Sequence, residues 1–217
     1  MVTAQREGGA LDPQGPVSQV MADLWWLLLG LGGAVFVTVV VVLALGLFRR
    51  RPAAEQETGR ERPDRFGRWF VVGGVAVPLV ILIIVLGATV QAMRSVPTSA
   101  PSDALVIEVV GHQFWWEVRY PDHGIAMRDE LHLPVGRPVS LQLSSADVIH
   151  SFWVPALAGK LDLLPDYTNT LVLEADEPGV HQSRCAEFCG LEHTTMVLTV
   201  VAEPEDQFEA WVAERRG

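Results

Sequence analysis

Cys185, Cys189, His193 and Met196 follow one another in the pattern C-x3-C-x3-H-x2-M, and His150 lies upstream of them. Thiolate, thioether and imidazole form a soft donor set that favours copper over calcium, magnesium or manganese. A mononuclear blue-copper site needs one Cys, two His and a weak axial Met. The second cysteine changes the expected chemistry, because two thiolates can bridge two metals. Each metal then takes one imidazole, His150 or His193, and Met196 is a weak fourth ligand on one side. On the other side the backbone carbonyl of Glu187, between the cysteines, is the natural donor. Bridging sulfurs spread an odd electron over both metals and fix their geometry across redox states. Such a site suits fast electron transfer and not substrate chemistry.

Three other readings stand beside this one. Two cysteines in an oxidising compartment form structural disulfides, a reading that His193, Met196 and the distal His150 weigh against. Structural zinc is disfavoured by the thioether. His150, within Ala146-Asp-Val-Ile-His-Ser-Phe-Trp-Val-Pro155, also reads as a satisfied core histidine on a buried strand.

Ligands gathered on one loop need a rigid frame. Hydropathy over the 217 residues is positive overall although the net charge is −10. The apolar residues concentrate in Leu24–Phe48 and Trp69–Met93, each longer than the roughly 20 residues that span a hydrocarbon core. Neither run has the polar positions every third or fourth residue of a buried soluble helix, so both are predicted to be transmembrane helices. The 49–68 loop carries Arg49, Arg50, Arg51, Arg60, Arg62, Arg65 and Arg68, whereas residues 1–23 have Arg6 alone. Positive-inside bias places this loop in the cytoplasm and both termini outside. A cleaved signal is disfavoured, since no basic n-region precedes the first helix and the run is too long. Residues 1–23, rich in Gly, Pro and Gln, are expected to be loosely ordered.

Residues 99–217 hold nineteen acidic and seven basic residues. This balance makes nucleic acid and anionic lipid poor partners of that surface and favours a basic protein. Strand-length runs occur at Leu105–Val110, Gln113–Tyr120, Glu130–Leu133, Pro138–Leu143, Asn169–Leu173, Val180–Arg184 and Met196–Val201, separated by Pro/Gly/Asp turns. Many short strands at this spacing predict an all-β sandwich or barrel over 99–204. Residues 205–217 read as a short amphipathic helix with Phe208, Trp211 and Val212 on one face.

The run from Asp147 to Pro165, with His150, Trp153, Pro155 and Lys160, resembles subunit II of cytochrome c oxidases. So do Cys185-Ala-Glu-Phe-Cys-Gly190, His193-x-x-Met196 and the aromatic Gly111–Tyr120. The resemblance spans nearly the whole chain. It implies a membrane-anchored all-β protein: a two-helix transmembrane hairpin followed by a cupredoxin-like Greek-key sandwich with a dinuclear copper centre (CuA). It further implies electron acceptance from cytochrome c (soluble, tethered or in a supercomplex) and delivery to a haem–copper subunit I. There oxygen is reduced and protons are pumped, in the plasma (inner) membrane of a prokaryote. Membrane lipid and other oxidase subunits are the remaining partners. Carried over by position, the copper ligands are His150, Cys185, Glu187 through its carbonyl, Cys189, His193 and Met196. The Glu187 side chain corresponds to a ligand for magnesium or manganese at the subunit I interface.

Departures from the family matter as much. Where its aromatic strand reads Gly-His-Gln-Trp, with that Trp receiving electrons, this chain has Phe114, followed by Trp115 and Trp116. An acid that commonly feeds a proton channel is replaced by Phe66, with Asp64 or Glu61 as substitutes. Asp166 stands where the family often has Gly. No C-x-x-C-H occurs, so no covalent haem is expected on these residues. A CuA subunit of a nitric oxide reductase fits the same anatomy. A membrane-tethered copper chaperone also pairs C-x3-C with a distal His, but the second helix, His-x-x-Met and the β-rich pattern count against it. Quinol oxidase subunit II shares the fold, but that family has lost the copper ligands.

Overall fold

The computed structural model describes residues 9–49 and 65–216. Two units are present, Asp23–Met93 and the combination of Met1–Ala22 with Arg94–Gly217. Helices α1 (Pro16–Phe48) and α2 (Arg65–Ser95) make up the first unit apart from their outer ends. Each is long and apolar enough to cross a membrane. Apolar side chains such as Phe36, Leu43, Leu82 and Ile83 are exposed along them, as a lipid-facing helix requires. Helix α1 starts at Pro16 and not at Leu24, and residues 9–22 are ordered as part of the outer unit, contrary to the loose segment expected. Proline suits the first helical position because its φ is preset and its missing N–H would have no partner there. Ser18, Gln19 and Asp23 hide these turns from a search for apolar runs. Glu61 and Asp64 lie outside the described residues, as does the side chain of Phe66.

The outer unit is a sandwich of two five-stranded sheets. One contains β1 (Leu105–His112), β2 (Trp115–Tyr120), β3 (Ile125–Arg128), β5 (Val139–Ser145) and β8 (Asn169–Leu173) in the order β3-β2-β1-β5-β8. The other contains β4 (Glu130–Pro134), β6 (His150–Trp153), β7 (Leu161–Leu163), β9 (Gly179–Cys185) and β10 (Val197–Glu203) in the order β4-β10-β9-β6-β7. Both sheets are mixed, with β1 parallel to β5 and β10 parallel to β4. Burial alternates residue by residue along β1, the signature of a strand with one face in the core. Ile107, Val109, Trp116, Val118, Leu141 and Leu143 from the first sheet are fully buried, as are Phe152, Leu198 and Val200 from the second. Burying an aliphatic or Phe side chain of this kind contributes roughly 1.5–3 kcal/mol.

Corners of the sandwich are fixed by polar groups. Asp129 joins β3 to β4 with φ 56°, and its carboxylate accepts the Trp116 N–H at 2.7 Å. Asp166 adopts φ 59° after Pro165, a conformation that Asp tolerates better than most residues. Helix α3 (Glu205–Arg215) closes one end of the sandwich with Phe208 and Val212 buried. Its Trp211 stacks on His132 with ring centroids 4.2 Å apart. His132 lies between Glu130 and Glu203, each 2.6 Å from one ring nitrogen.

Candidate metal centre

The sandwich places the five donor side chains at one end of the second sheet. β6 carries His150 and lies beside β9, with Phe152 opposite Cys185. β9 ends at Cys185, and the chain then turns through Cys189, His193 and Met196 before β10 begins. The turn is pinned at both ends by backbone bonds: Cys185 N–H to the Met196 carbonyl at 3.1 Å and Ala186 N–H to the Ser151 carbonyl at 2.9 Å. His150, Cys185, Cys189 and Met196 are buried, while His193 is partly exposed beside the exposed ring of Phe188.

The sulfur atoms of Cys185 and Cys189 lie 3.8 Å apart. His150 Nδ1 is 3.9 Å from Cys185 Sγ, and His193 Nδ1 is 3.6 Å from Cys189 Sγ. Met196 Sδ is 3.8 Å from Cys189 Sγ, and the Glu187 carbonyl oxygen is 3.2 Å from Cys185 Sγ. Metal–thiolate and metal–imidazole bonds of about 2.3 and 2.0–2.1 Å at tetrahedral angles separate two donors by about 3.5–3.8 Å. These spacings, together with a soft set of two thiolates, two imidazoles and a thioether, fit copper. No disulfide joins the cysteines. His150, Cys185 and Cys189 bring their ligand atoms within 4.8 Å of one another. The six residues carried over by resemblance thus lie together, with the Glu187 side chain directed to the surface, 4.0 Å from Lys160 Nζ.

Electrostatics prepare the site for a cation. Burial pushes the Cys185 thiol up, but the His150 imidazole and backbone groups at Ser151 and Glu187 outweigh it and bring the thiol down to about 6. Burial and the neighbouring Cys185 charge push Cys189 up to about 12. Cys185 is therefore the first of the two thiols to ionise, and a bound cation would favour loss of the second proton as well. Burial disfavours protonation of His150, yet Cys185 and Asp147 together raise its pKa.

Three residues that the ligand motif does not include complete the site. Asp147 Oδ1 is 2.8 Å from His150 Nε2 and accepts the Val148 N–H, while Oδ2 accepts the Gln113 N–H at 2.7 Å. With its proton held on Nε2, the imidazole turns Nδ1 toward Cys185. Gln113 Nε2 donates to the Cys189 carbonyl. Gly111 lies against the His150 ring, where an added Cβ would be 2.8 Å from Cδ2. The available signals were the carboxylate three residues before His150 and a glycine inside a strand. Asp147→Ala is expected to lower metal affinity by about 10–100-fold, the usual effect of losing an orienting partner. A copper competition titration against wild type checks it.

The aromatic positions separate. Trp116 is fully buried, 6.0 Å from His150 and 5.8 Å from Phe152 by ring centroids. Trp115 lies on the outer face of β2, stacked on His112 at 4.2 Å with Arg128 at 4.6 Å from its ring. Phe114 precedes the strand, partly buried. It packs so closely on Gly190 that a Cβ there would come within 2.9 Å of its ring. Of the three, only Phe114 and Trp115 reach solvent.

Residues 123–203 match the family model for the periplasmic domain of cytochrome c oxidase subunit II. Cytochrome c oxidase subunit 2 of Alkalihalophilus pseudofirmus is 34% identical over 94% of this chain and 60% of the relative. Quinol oxidase subunit 2 of Bacillus spizizenii is 31% identical over 93% of this chain and 64% of the relative. This chain thus spans less than two thirds of the length of either. The crystal structure of the periplasmic domain of cytochrome oxidase subunit II of Bradyrhizobium japonicum superposes with a TM-score of 0.52 at 27% identity. It covers 54% of this chain and 97% of that one. The outer unit is cupredoxin-like, the two apolar helices mark a two-pass membrane protein, and residues 123–203 are similar to the periplasmic domain of cytochrome c oxidase subunit II.

Proposed function

We propose that this chain is the electron-accepting subunit of a cytochrome c oxidase. It takes electrons from cytochrome c at a dinuclear CuA centre and passes them to a haem–copper subunit I, where oxygen is reduced to water with proton pumping. The membrane is the plasma (inner) membrane of a prokaryote, with the sandwich on its outer side. The observation that carries this reading is the pairing of donors: two thiolates 3.8 Å apart, each beside its own imidazole. When bound, the copper pair supplies a one-electron store whose charge is shared between two metals. The chain holds that store rigid. Asp147 orients His150, Gln113 fastens the Cys189 carbonyl, and Phe114 seats the aromatic loop on Gly190. Phe114 has no N–H and is harder to oxidise than tryptophan, so it supplies contact area to a donor and not a relay.

The test is electron paramagnetic resonance of the full chain isolated with its partner subunits. One unpaired electron shared by two copper nuclei is expected, and a four-line spectrum from a single copper overturns the dinuclear centre. Similarity to a quinol oxidase subunit makes a second reading concrete: a complex without copper that oxidises quinol directly. The same preparation, assayed for copper and for both donors, decides between them.

Docking of the donor is expected to be electrostatic. The outer residues 99–217 hold twelve more acids than bases, and screening beyond about 8 Å at physiological ionic strength weakens attraction between exposed charges. Added salt should raise the KM for a basic cytochrome c. Asp162→Asn with Asp166→Asn should weaken association more than it changes turnover at saturation, read by steady-state kinetics against ionic strength. For Glu187, the carbonyl and not the carboxylate faces Cys185. Glu187→Gln should therefore keep the copper spectrum while lowering magnesium or manganese retention, measured by metal analysis of the purified complex.

A further inference from the structure

The residues that lead into helix α1, together with its first turns, are built into the sandwich. Gln14 N–H donates to the Ala156 carbonyl at 2.7 Å, and the Asp176 N–H donates to the Gln14 carbonyl at 2.9 Å. Ser18, 2% exposed, donates its hydroxyl toward the Ala156 carbonyl at 2.6 Å and the Gly15 carbonyl at 2.8 Å. Its N–H reaches the Leu157 carbonyl at 3.3 Å. The fit is tight on both sides. A Cβ on Gly15 would be 2.4 Å from the Glu174 carbonyl, and one on Gly159 would be 2.6 Å from Met21 Cε.

What this strap closes on is the turn that ends β6. Leu157 and Ala158 N–H both bond the Val154 carbonyl, and Val154, Ala156, Leu157 and Ala158 are buried. β6 is the strand that carries His150, and its Ser151 carbonyl holds the Ala186 N–H between the two cysteines. Lys160, just past the turn, directs Nζ to the Ala186 carbonyl at 3.5 Å. Those contacts join the strap to both halves of the ligand set.

We propose that residues Gln14–Met21 are a positioning element for the metal centre. By closing on the carbonyls of Ala156 and Leu157 they fix the end of β6, and through it His150 and the backbone of Ala186. The proposal rests on the copper reading of the site, and its test separates the two. In the copper-free full chain, Ser18→Ala should quicken hydrogen exchange of the Ala186 amide by roughly fivefold, in keeping with one lost hydrogen bond. Gly15→Val, which cannot keep the close approach to Glu174, should do so more strongly. Amides of the β1–β2 ladder, such as those of Val109 and Val118, should not change. In the copper-loaded chain, release of copper to a chelator should quicken in the same order of variants. The proposal is overturned if Ala186 exchange stays at the wild-type rate in Ser18→Ala, or if the β1–β2 amides quicken in parallel. The first result leaves the strap a mere cover, and the second makes it a source of global stability. If Gly15→Val fails to fold, Ser18→Ala alone decides. A wild-type chain that binds no copper overturns the copper reading, while the exchange result still judges the strap.

Discussion

Cys189→Ser is expected to reduce the copper content of the isolated complex from two ions per chain to one or fewer. Cys189 Sγ sits at the middle of the donor set, 3.8 Å from Cys185 Sγ, 3.6 Å from His193 Nδ1 and 3.8 Å from Met196 Sδ. Without it a single thiolate, Cys185, remains for two metals. Once one copper takes it with His150, His193 and Met196 are left as an imidazole and a weak thioether, too poor a set to retain a second copper by themselves. Any remaining copper should lie with Cys185 and His150 and show a four-line spectrum with the electron on one nucleus. Affinity at the vacated side should fall by more than the roughly 10–100-fold that follows loss of a residue that only orients a ligand. Metal analysis and electron paramagnetic resonance read both effects. Retention of two coppers with an unchanged spectrum would show that the two thiolates do not bridge. The sandwich should stay folded, because Cys189 adds one small side chain to a core built mainly of residues such as Ile107, Val109, Trp116, Leu141 and Phe152.

Gly111→Ala is the second substitution expected to act strongly, although it removes no ligand. Gly111 lies on β1 opposite Trp116, with the His150 ring pressed against its α-carbon. A methyl group there would be 2.8 Å from His150 Cδ2, 3.0 Å from Cγ and 3.3 Å from Cβ. The whole imidazole has to move, since the crowded atoms include its root as well as its edge. Neither partner yields easily, because Gly111 is fixed in two strand ladders and His150 is held by Asp147 and by β7. Overpacking of this kind costs about 1–3 kcal/mol. Copper affinity should fall by at least about tenfold, equal to roughly 1.4 kcal/mol, with a changed hyperfine pattern. Chemical denaturation and a chelator titration measure the two effects. An Ala variant with wild-type affinity and spectrum would show that the ring does not need that space.

Legibility in the sequence followed local chemistry. The seven strand-length apolar runs bounded by turn residues correspond to strands, and burial alternates along some of them, as in β1 and β10. β3 and β7 are not marked by such runs, and β6 is legible only as a buried strand around His150. β7 is three residues long, and β6 has His150, Ser151 and Phe152 all buried, so no alternation marks it. The ligand loop was legible because four donor side chains lie within twelve residues, from Cys185 to Met196. Contacts across sequence were not. Nothing in the sequence ties Asp147 to Gln113, places Gly111 beneath His150, or seats Ser18 on Ala156, since each depends on two segments meeting in space. The same limit applies to the polar turns before the membrane helix, where the apolar partner is the sandwich and not lipid.

His150 lies on β6 and Cys185 ends β9, while Cys189, His193 and Met196 ride on the connection between β9 and β10. Fold and cofactor are therefore written largely in different stretches of chain. A relative can change the connection and the last residue of β9 and keep the same sandwich, which gives a physical route between copper-binding and copper-free members of one family. It also orders events during maturation. The strands can pair before any ion arrives, and the ion then meets donors of which only His193 is partly open to water. The open side is the one flanked by the exposed ring of Phe188, beside His193.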